Sequence, residues 1–164
     1  MHPIAIPQTS PDRYISFKHA LNLRLPDEDT GEWHFLSAFF DEGEFTSSRS
    51  APVAGAGGLV DTTPSLSDRG VREMSSILAA QEILPDDGPV YVANHYRAIA
   101  DLSMLELKDC KVPTIANNRA INAWLDTEEQ VNQLVTEYLI PLRSQLKKTN
   151  RQVFDQWIAT VRYE

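Results

Sequence analysis

Hydrophobic and polar positions alternate in the first quarter of the chain. Between Phe17 and Leu25 the large apolar residues fall on odd positions, with polar residues at 18, 22 and 24. Positions 33, 35 and 39 are apolar again after the turn PDEDTGE, in which Pro26 and Gly31 mark the bend. A period of two residues is typical of a half-buried strand. The pattern therefore predicts an antiparallel β-hairpin with strands at 16–25 and 32–40.

Residues 41–64 carry no hydrophobic period. They combine small residues with four glycines and two prolines, a composition typical of a long surface loop. We expect residues 41–60 to be the most mobile internal segment, with a short strand at 58–61 as an alternative for part of the loop.

Helical spacing begins at residue 65. Thr63-Pro64 supplies a helix start, and an apolar stripe of helical period follows between Val71 and Leu78. A second helix is predicted from Asp87-Gly88-Pro89 to about Leu107, although the Val-Tyr-Val run within 90–93 leaves a short strand open.

The last third of the chain predicts three more helices. A short one covers 118–125, and a long one begins at Asp126 or Thr127, each followed three residues later by the Glu or Gln of a capping box. Pro141 should kink that helix, and the capping-box spacing recurs at Thr149 for a final helix. Together the patterns predict an α+β fold, in which an N-terminal hairpin or small sheet packs against four or five helices in a single domain, 1–164.

Composition narrows the class of protein. The chain has 164 residues and a hydrophobic fraction of 42%, enough for one core without disulfides. Its single cysteine, Cys110, excludes an internal disulfide and a zinc site built on paired thiolates. No signal peptide or membrane-spanning run is recognised, so we expect a cytoplasmic, bacterial protein that binds no membrane.

Negative charge is concentrated near the N-terminus. The formal net charge is −8, and residues 27–44 hold seven carboxylates without a lysine or arginine. We call these carboxylates the acidic edge; they are Asp27, Glu28, Asp29, Glu32, Asp41, Glu42 and Glu44. Such an edge repels phosphate backbones and attracts a basic protein surface.

The densest group of chemically capable side chains is the run Asn94-His95-Tyr96-Arg97, with Asp101 one helical turn further on. On a helix, Arg97 and Asp101 form an i,i+4 ion pair, which we place on a solvated face. His95 lies on the apolar margin of that helix.

Histidines are the candidate acids or bases of an alternative, enzymatic function. A hydrolase or transferase would use His95 or His19, given a carboxylate partner. Strand parity places His34 on the opposite face of the hairpin from His19, so these two should not meet.

Metal and cofactor sites are not expected. The turn at Asp27 and Asp29 superficially matches a calcium loop, but Gly31 comes one position early, and Ala38 stands where the bidentate glutamate is required. The glycines at 55–58 lack the lysine of a phosphate-binding loop.

Residues 111–125 suggest a second alternative, a helix-turn-helix DNA-binding regulator in which Arg119 and Asn122 read base edges. The competing interpretation is a connector whose Ile121, Trp124 and Leu125 fill the core. The net charge of −8 favours the connector, so nucleic acid is not the expected partner.

The function predicted from the sequence is a non-enzymatic protein-binding module of the antitoxin, immunity or regulator kind. Its acidic edge would engage another protein with a basic surface. A homo-oligomer is left open, and no cofactor or metal is expected.

Overall fold

The computed structural model describes residues 2–30, 40–41, 50–80, 83 and 88–164. These residues form an α+β fold, as predicted. Its strands are β1 (His2–Pro3), β2 (Arg13–Ile15), β3 (Phe40–Asp41), β4 (Val53–Gly55), β5 (Val71–Glu73) and β6 (Tyr91–Ala93). Its helices are α1 (Phe17–Leu21), α2 (Thr63–Leu66), α3 (Ser75–Ala80), α4 (His95–Leu107), α5 (Asn118–Trp124), α6 (Glu128–Gln133) and α7 (Lys148–Ile158).

Four strands form one mixed sheet in the order β4-β2-β6-β5. β2 is antiparallel to β4 and parallel to β6, with Ile15 opposite Val92. β5 is antiparallel to β6, and β1 and β3 form a separate antiparallel pair. β2 and β6 are thus the parallel strands at the centre of the sheet.

Each of the two parallel strands leads directly into a helix. Ser16 joins β2 to α1, and Asn94 joins β6 to α4. The Asn94 side chain accepts a hydrogen bond from the backbone N–H of Arg97 at 2.8 Å, as an N-cap does. Because the strands run in the same direction, both helices begin at the same edge of the sheet.

Helix α4 lies at the centre of the core. Eleven of its thirteen residues are buried, including the polar residues His95, Arg97, Asp101 and Ser103. A helix that is buried on every side must satisfy its polar side chains within the protein. This requirement shapes the site described below.

The predicted hairpin is wrong in its first strand. Residues 17–21 form α1, because Ala20 and Leu21 follow Phe17 by three and four residues, about one helical turn, and all three are buried. Phe17 and Leu21 are both at odd positions and also four residues apart, so the same pattern fits a strand and a helix. The predicted second strand lies outside the described residues except for Phe40, which belongs to β3.

Two further strands replace predicted loop and helix. Within the predicted loop the strand lies at Val53–Gly55 rather than at 58–61, and it pairs with β2. A Cβ atom at Gly55 would lie 2.0 Å from the carbonyl oxygen of Asp12, so this close approach requires glycine. The helix predicted from Thr63-Pro64 ends at Leu66, and the stripe beyond it divides into β5 and α3.

The 90–93 alternative is decided in favour of a strand. Residues 91–93 form β6, which pairs with both β2 and β5, and the helix begins only after Asn94. Local propensity left both conformations open, and hydrogen bonding to the neighbouring strands β2 and β5 stabilises the strand.

The C-terminal helices were predicted more closely. α5 is confirmed, and Thr127 and Gln130 form the capping box of α6. The predicted long α-helix ends at Gln133; the chain continues as a π-helix, Leu134–Leu139, and changes beside Pro141 to a 3₁₀-helix, Ile140–Gln145. The capping box at Thr149 is wrong, because α7 begins at Lys148 without a side-chain cap.

Across the described part of the chain, every helix is too short or too polar to span a membrane.

Candidate functional site

A fully buried polar network joins α4 to the sheet and to the segment that follows α2. At its centre is Arg97, whose side chain is completely inaccessible to solvent. Its Nε donates to the hydroxyl of Tyr14 at 2.8 Å and to that of Thr62 at 3.0 Å. Its guanidinium carbon also lies 5.0 Å from the centroid of the Tyr14 ring.

Asp101 completes the network. It accepts hydrogen bonds from the hydroxyls of Tyr14 at 2.9 Å, Ser16 at 2.6 Å and Thr62 at 2.7 Å. Its Oδ1 lies 3.8 Å from Nε of Arg97. Tyr14 and Thr62 therefore each accept from the arginine and donate to the carboxylate, so the two charges are joined through hydroxyl groups.

The two terminal nitrogens of Arg97 hold a turn at the surface. Nη1 donates to the carbonyl of Arg69 at 2.7 Å, and Nη2 donates to the carbonyl of Ser67 at 2.9 Å. Ser67 has φ 54° and ψ −131°, a backbone conformation that normally requires glycine. The buried arginine thus fixes an exposed and strained turn.

The prediction that the Arg97–Asp101 ion pair lies on a solvated face is wrong. Arg97 and Asp101 do form the predicted i,i+4 pair, but both side chains are fully buried. The i,i+4 spacing revealed the pair, whereas its burial depends on β2 and on Thr62, which are distant in sequence. These hydroxyl partners were missed because no local signal connects them to α4.

Burial governs the protonation of this network. It raises the pKa of the Asp101 carboxyl, while Arg97 and the hydroxyls of Ser16, Thr62 and Tyr14 oppose that rise. Burial also raises the pKa of the Tyr14 phenol well above its ordinary value. The phenol therefore stays protonated and can donate to Asp101. With these side chains closed to solvent, the network acts as an internal brace.

His95 lies at the first position of α4, and only 3% of its surface is exposed. Neither ring nitrogen has a well-aligned hydrogen bond within the described part of the chain, although the backbone of Leu23 is among the groups that act on the ring. Burial, assisted by the positive charge of Arg72, lowers the pKa of His95 to about 4. The ring is consequently neutral at physiological pH.

The other histidines do not join His95 in a described site. His19 is half-buried in α1. His34 lies outside the described residues. Among the residues that the structure describes, no group of three His, Cys, Asp or Glu side chains is close enough to hold a metal ion.

The described part of the acidic edge is a braced turn, residues 25–30, which we call the acidic turn. Glu28 forms an ion pair with Arg72 of β5, and its carboxylate also accepts from the backbone N–H of Leu25 at 2.7 Å. On the other side, the amide of Gln130 in α6 donates to the carbonyl of Asp29 at 2.9 Å. The turn is therefore tied both to the sheet and to a helix.

The three carboxylates of the acidic turn differ in their exposure to solvent. Asp27 and Asp29 are exposed, whereas Glu28 is mostly buried against Arg72. Asp41 lies in β3, and the remaining three members of the acidic edge, Glu32, Glu42 and Glu44, lie outside the described residues. Sequence spacing identified Gln130 as a cap but gave no sign that it also reaches Asp29.

The residues of the helix-turn-helix alternative are partly engaged elsewhere. The amide nitrogen of Asn122 donates to the carbonyl of Arg162 at 2.9 Å, and its oxygen accepts from the backbone of Glu164 at 3.0 Å. Arg119 is exposed. Residues 108–117 separate α4 from α5, which is longer than the turn of such a motif. The DNA-binding hypothesis stays untested, and these contacts do not favour it.

Comparison with known proteins gives no relative for this arrangement: no family model, curated protein or solved structure matches the chain.

Proposed function

We propose that this chain is a cytoplasmic, non-enzymatic protein-binding module of the antitoxin, immunity or regulator kind, and that it docks a basic protein through the acidic turn. The observation that carries the proposal is the bracing of that turn. Two outward-facing carboxylates, on Asp27 and Asp29, stand on a backbone that Arg72 and Gln130 hold from opposite sides.

A braced turn is suited to recognition for two physical reasons. Carboxylates on a fixed backbone lose less conformational freedom on binding than carboxylates on a loose loop. Unpaired surface charge also accelerates the encounter with an oppositely charged partner. Glu28 serves this function indirectly, because its carboxylate is already occupied by Arg72 and positions its two neighbours.

Site-directed photocrosslinking in a native lysate tests the proposal. A photoreactive amino acid at position 26, which is exposed beside Asp27, should capture one partner through a peptide rich in lysine or arginine. Position 109, which is also exposed, provides the matched control. The yield of the adduct should fall in Asp27→Asn/Asp29→Asn, because loss of the steering charge slows association.

Two outcomes would contradict this function. One is the same set of adducts from positions 26 and 109, which would indicate unspecific collision. The other is a position-26 adduct whose yield is unaffected by neutralising Asp27 and Asp29.

A further inference from the structure

A second charged surface lies between the 3₁₀-helix and α7. It is a surface groove of about 510 Å³, which we call the basic groove. Its lining residues are Arg143, Lys148, Arg151, Gln152, Asp155 and Gln156.

The charge of the basic groove is opposite in sign to the net charge of the chain. Residues 138–154 contain four basic residues and no acidic one, although the whole chain carries a net charge of −8. Asp155 is the one carboxylate among the lining residues given above, and it is engaged by Arg143 through two hydrogen bonds of 2.8 and 3.0 Å. The groove therefore keeps an excess of positive charge.

Its cations differ in how firmly they are held. Nε of Arg151 donates to the carbonyls of Arg143 and Leu146 at 3.2 and 3.1 Å, so this guanidinium is anchored at the end of the 3₁₀-helix. Lys147 and Lys148, by contrast, form no ion pair with any described residue and are exposed. The groove thus combines Arg143, which is paired with Asp155, the anchored Arg151, and Lys148, which like the adjacent Lys147 has no counter-ion among the described residues.

The remaining lining residues indicate what kind of anion fits. Lys148, Gln152 and Gln156 are spaced four residues apart along α7 and so share one side of it. A glutamine amide both donates and accepts, which matches the N–H and C=O groups of a peptide backbone, whereas a phosphate ester only accepts. An extended acidic peptide uses the cations and the amides together.

We propose that the basic groove binds an acidic peptide segment of a partner protein. Carboxylates of the segment pair with Lys148 and Arg151 of the groove and with the neighbouring Lys147, and its backbone pairs with Gln152 and Gln156. This surface is separate in sequence and in residues from the acidic turn, so it is a second binding site of opposite charge.

The test uses capped hexaglutamate as the probe and the full-length ¹⁵N-labelled chain at low ionic strength. Saturable amide shifts should concentrate at residues 143–156. In Lys147→Glu/Lys148→Glu, the dissociation constant should rise about tenfold or more, because attraction becomes repulsion. The control Lys18→Glu/Arg119→Glu makes the same change of charge at other exposed positions and should alter the constant less than about threefold.

Other occupants give distinguishable results. Tighter binding of a twelve-residue oligothymidine than of hexaglutamate, at the same residues, would overturn the peptide assignment in favour of a nucleic-acid backbone. Shifts that depend on protein concentration without a probe would overturn it in favour of a second copy of the chain. Shifts spread over the surface, or an equal loss in both double variants, would also overturn it. Asp27→Asn/Asp29→Asn should bind hexaglutamate at least as well as the natural chain, which separates this test from the proposed function.

Discussion

Arg97 is the largest fully buried side chain among the described residues. Its charge is compensated mainly through hydrogen bonds, since Asp101 lies 3.8 Å away while Tyr14, Thr62 and two carbonyls lie closer. A buried ion pair need not stabilise a fold relative to apolar residues, but removing one partner leaves an uncompensated charge. The network therefore links α4, β2 and the turn at 67–70 in a single interdependent unit.

Truncation of Arg97 should destabilise the elements that the network links. Arg97→Ala leaves the Asp101 carboxylate buried without its counter-charge and removes the donor to Tyr14, Thr62 and two carbonyls, so we expect the free energy of unfolding to fall by about 3–5 kcal/mol. Arg97→Met/Asp101→Leu, which removes both charges, should cost less than Arg97→Ala alone. Urea denaturation followed by circular dichroism measures both values. A loss below about 1 kcal/mol in Arg97→Ala would show that the network is dispensable.

His95 couples folding to pH. Its pKa is about 4 in the folded chain, below the value of about 6.5 in an unfolded one. The unfolded state therefore binds more protons between these pH values, and stability rises with pH through this window. The stabilisation is fully present above pH 6.5 and is lost as the pH falls towards 4. The charged groups that act on the ring are Arg72, Glu28 and Arg24.

We accordingly expect His95→Leu to flatten the pH dependence of stability. Between pH 7 and pH 4.5 the natural chain should lose about 2 kcal/mol more than the variant, from the histidine alone. Chemical denaturation at a series of pH values gives the comparison. Parallel curves for the two proteins would mean that His95 has an ordinary pKa.

Individual residues were predictable only where their partners are near in sequence. The Arg97 and Asp101 pair and the Thr127 capping box follow from short spacings, whereas Asn94, the N-cap of α4, was placed inside the predicted helix. The burial of Arg97 does not, because it depends on Tyr14 and Thr62, which are 83 and 35 residues away. The same limitation hid the contact of Gln130 with Asp29, 101 residues apart.

At the scale of elements, short strands were the main obstacle. The four strands of the mixed sheet are each three residues long, too short to show a period, and their pairing is not local. Helix α5 and the start of α6 carry their own caps and were predicted. The turn at 67–70 is a further non-local element, since Arg97 holds it in a strained conformation.

Relief of that strain should be measurable. Ser67→Gly should raise the free energy of unfolding by about 1 kcal/mol, because glycine adopts φ 54° and ψ −131° without a Cβ clash. The control Ser76→Gly, at an exposed position inside α3, should lower it by about 0.5 kcal/mol. Thermal denaturation of the two variants distinguishes these signs. Destabilisation by Ser67→Gly would show that the turn is not strained at this residue.

At the scale of the whole molecule, negative and positive charge are concentrated on different surfaces. The acidic turn is held between β5 and α6, and the basic groove lies beyond the 3₁₀-helix on α7. The distribution of charge was predictable in outline from the acidic edge. The fold adds which carboxylates are presented, because it engages Glu28 with Arg72 and leaves Asp27 and Asp29 exposed.

The central claim is that Asp27 and Asp29 steer a basic partner to the acidic turn. The most direct measurement is the association rate constant of the captured partner, by stopped-flow fluorescence, at low and high salt. In Asp27→Asn/Asp29→Asn the rate at low salt should fall about tenfold and become nearly independent of salt, with little change in the dissociation rate. The control Asp68→Asn/Asp109→Asn, at exposed positions elsewhere, should retain most of the rate. Equal rates and equal salt dependence in the natural chain and the Asp27→Asn/Asp29→Asn variant would contradict the claim.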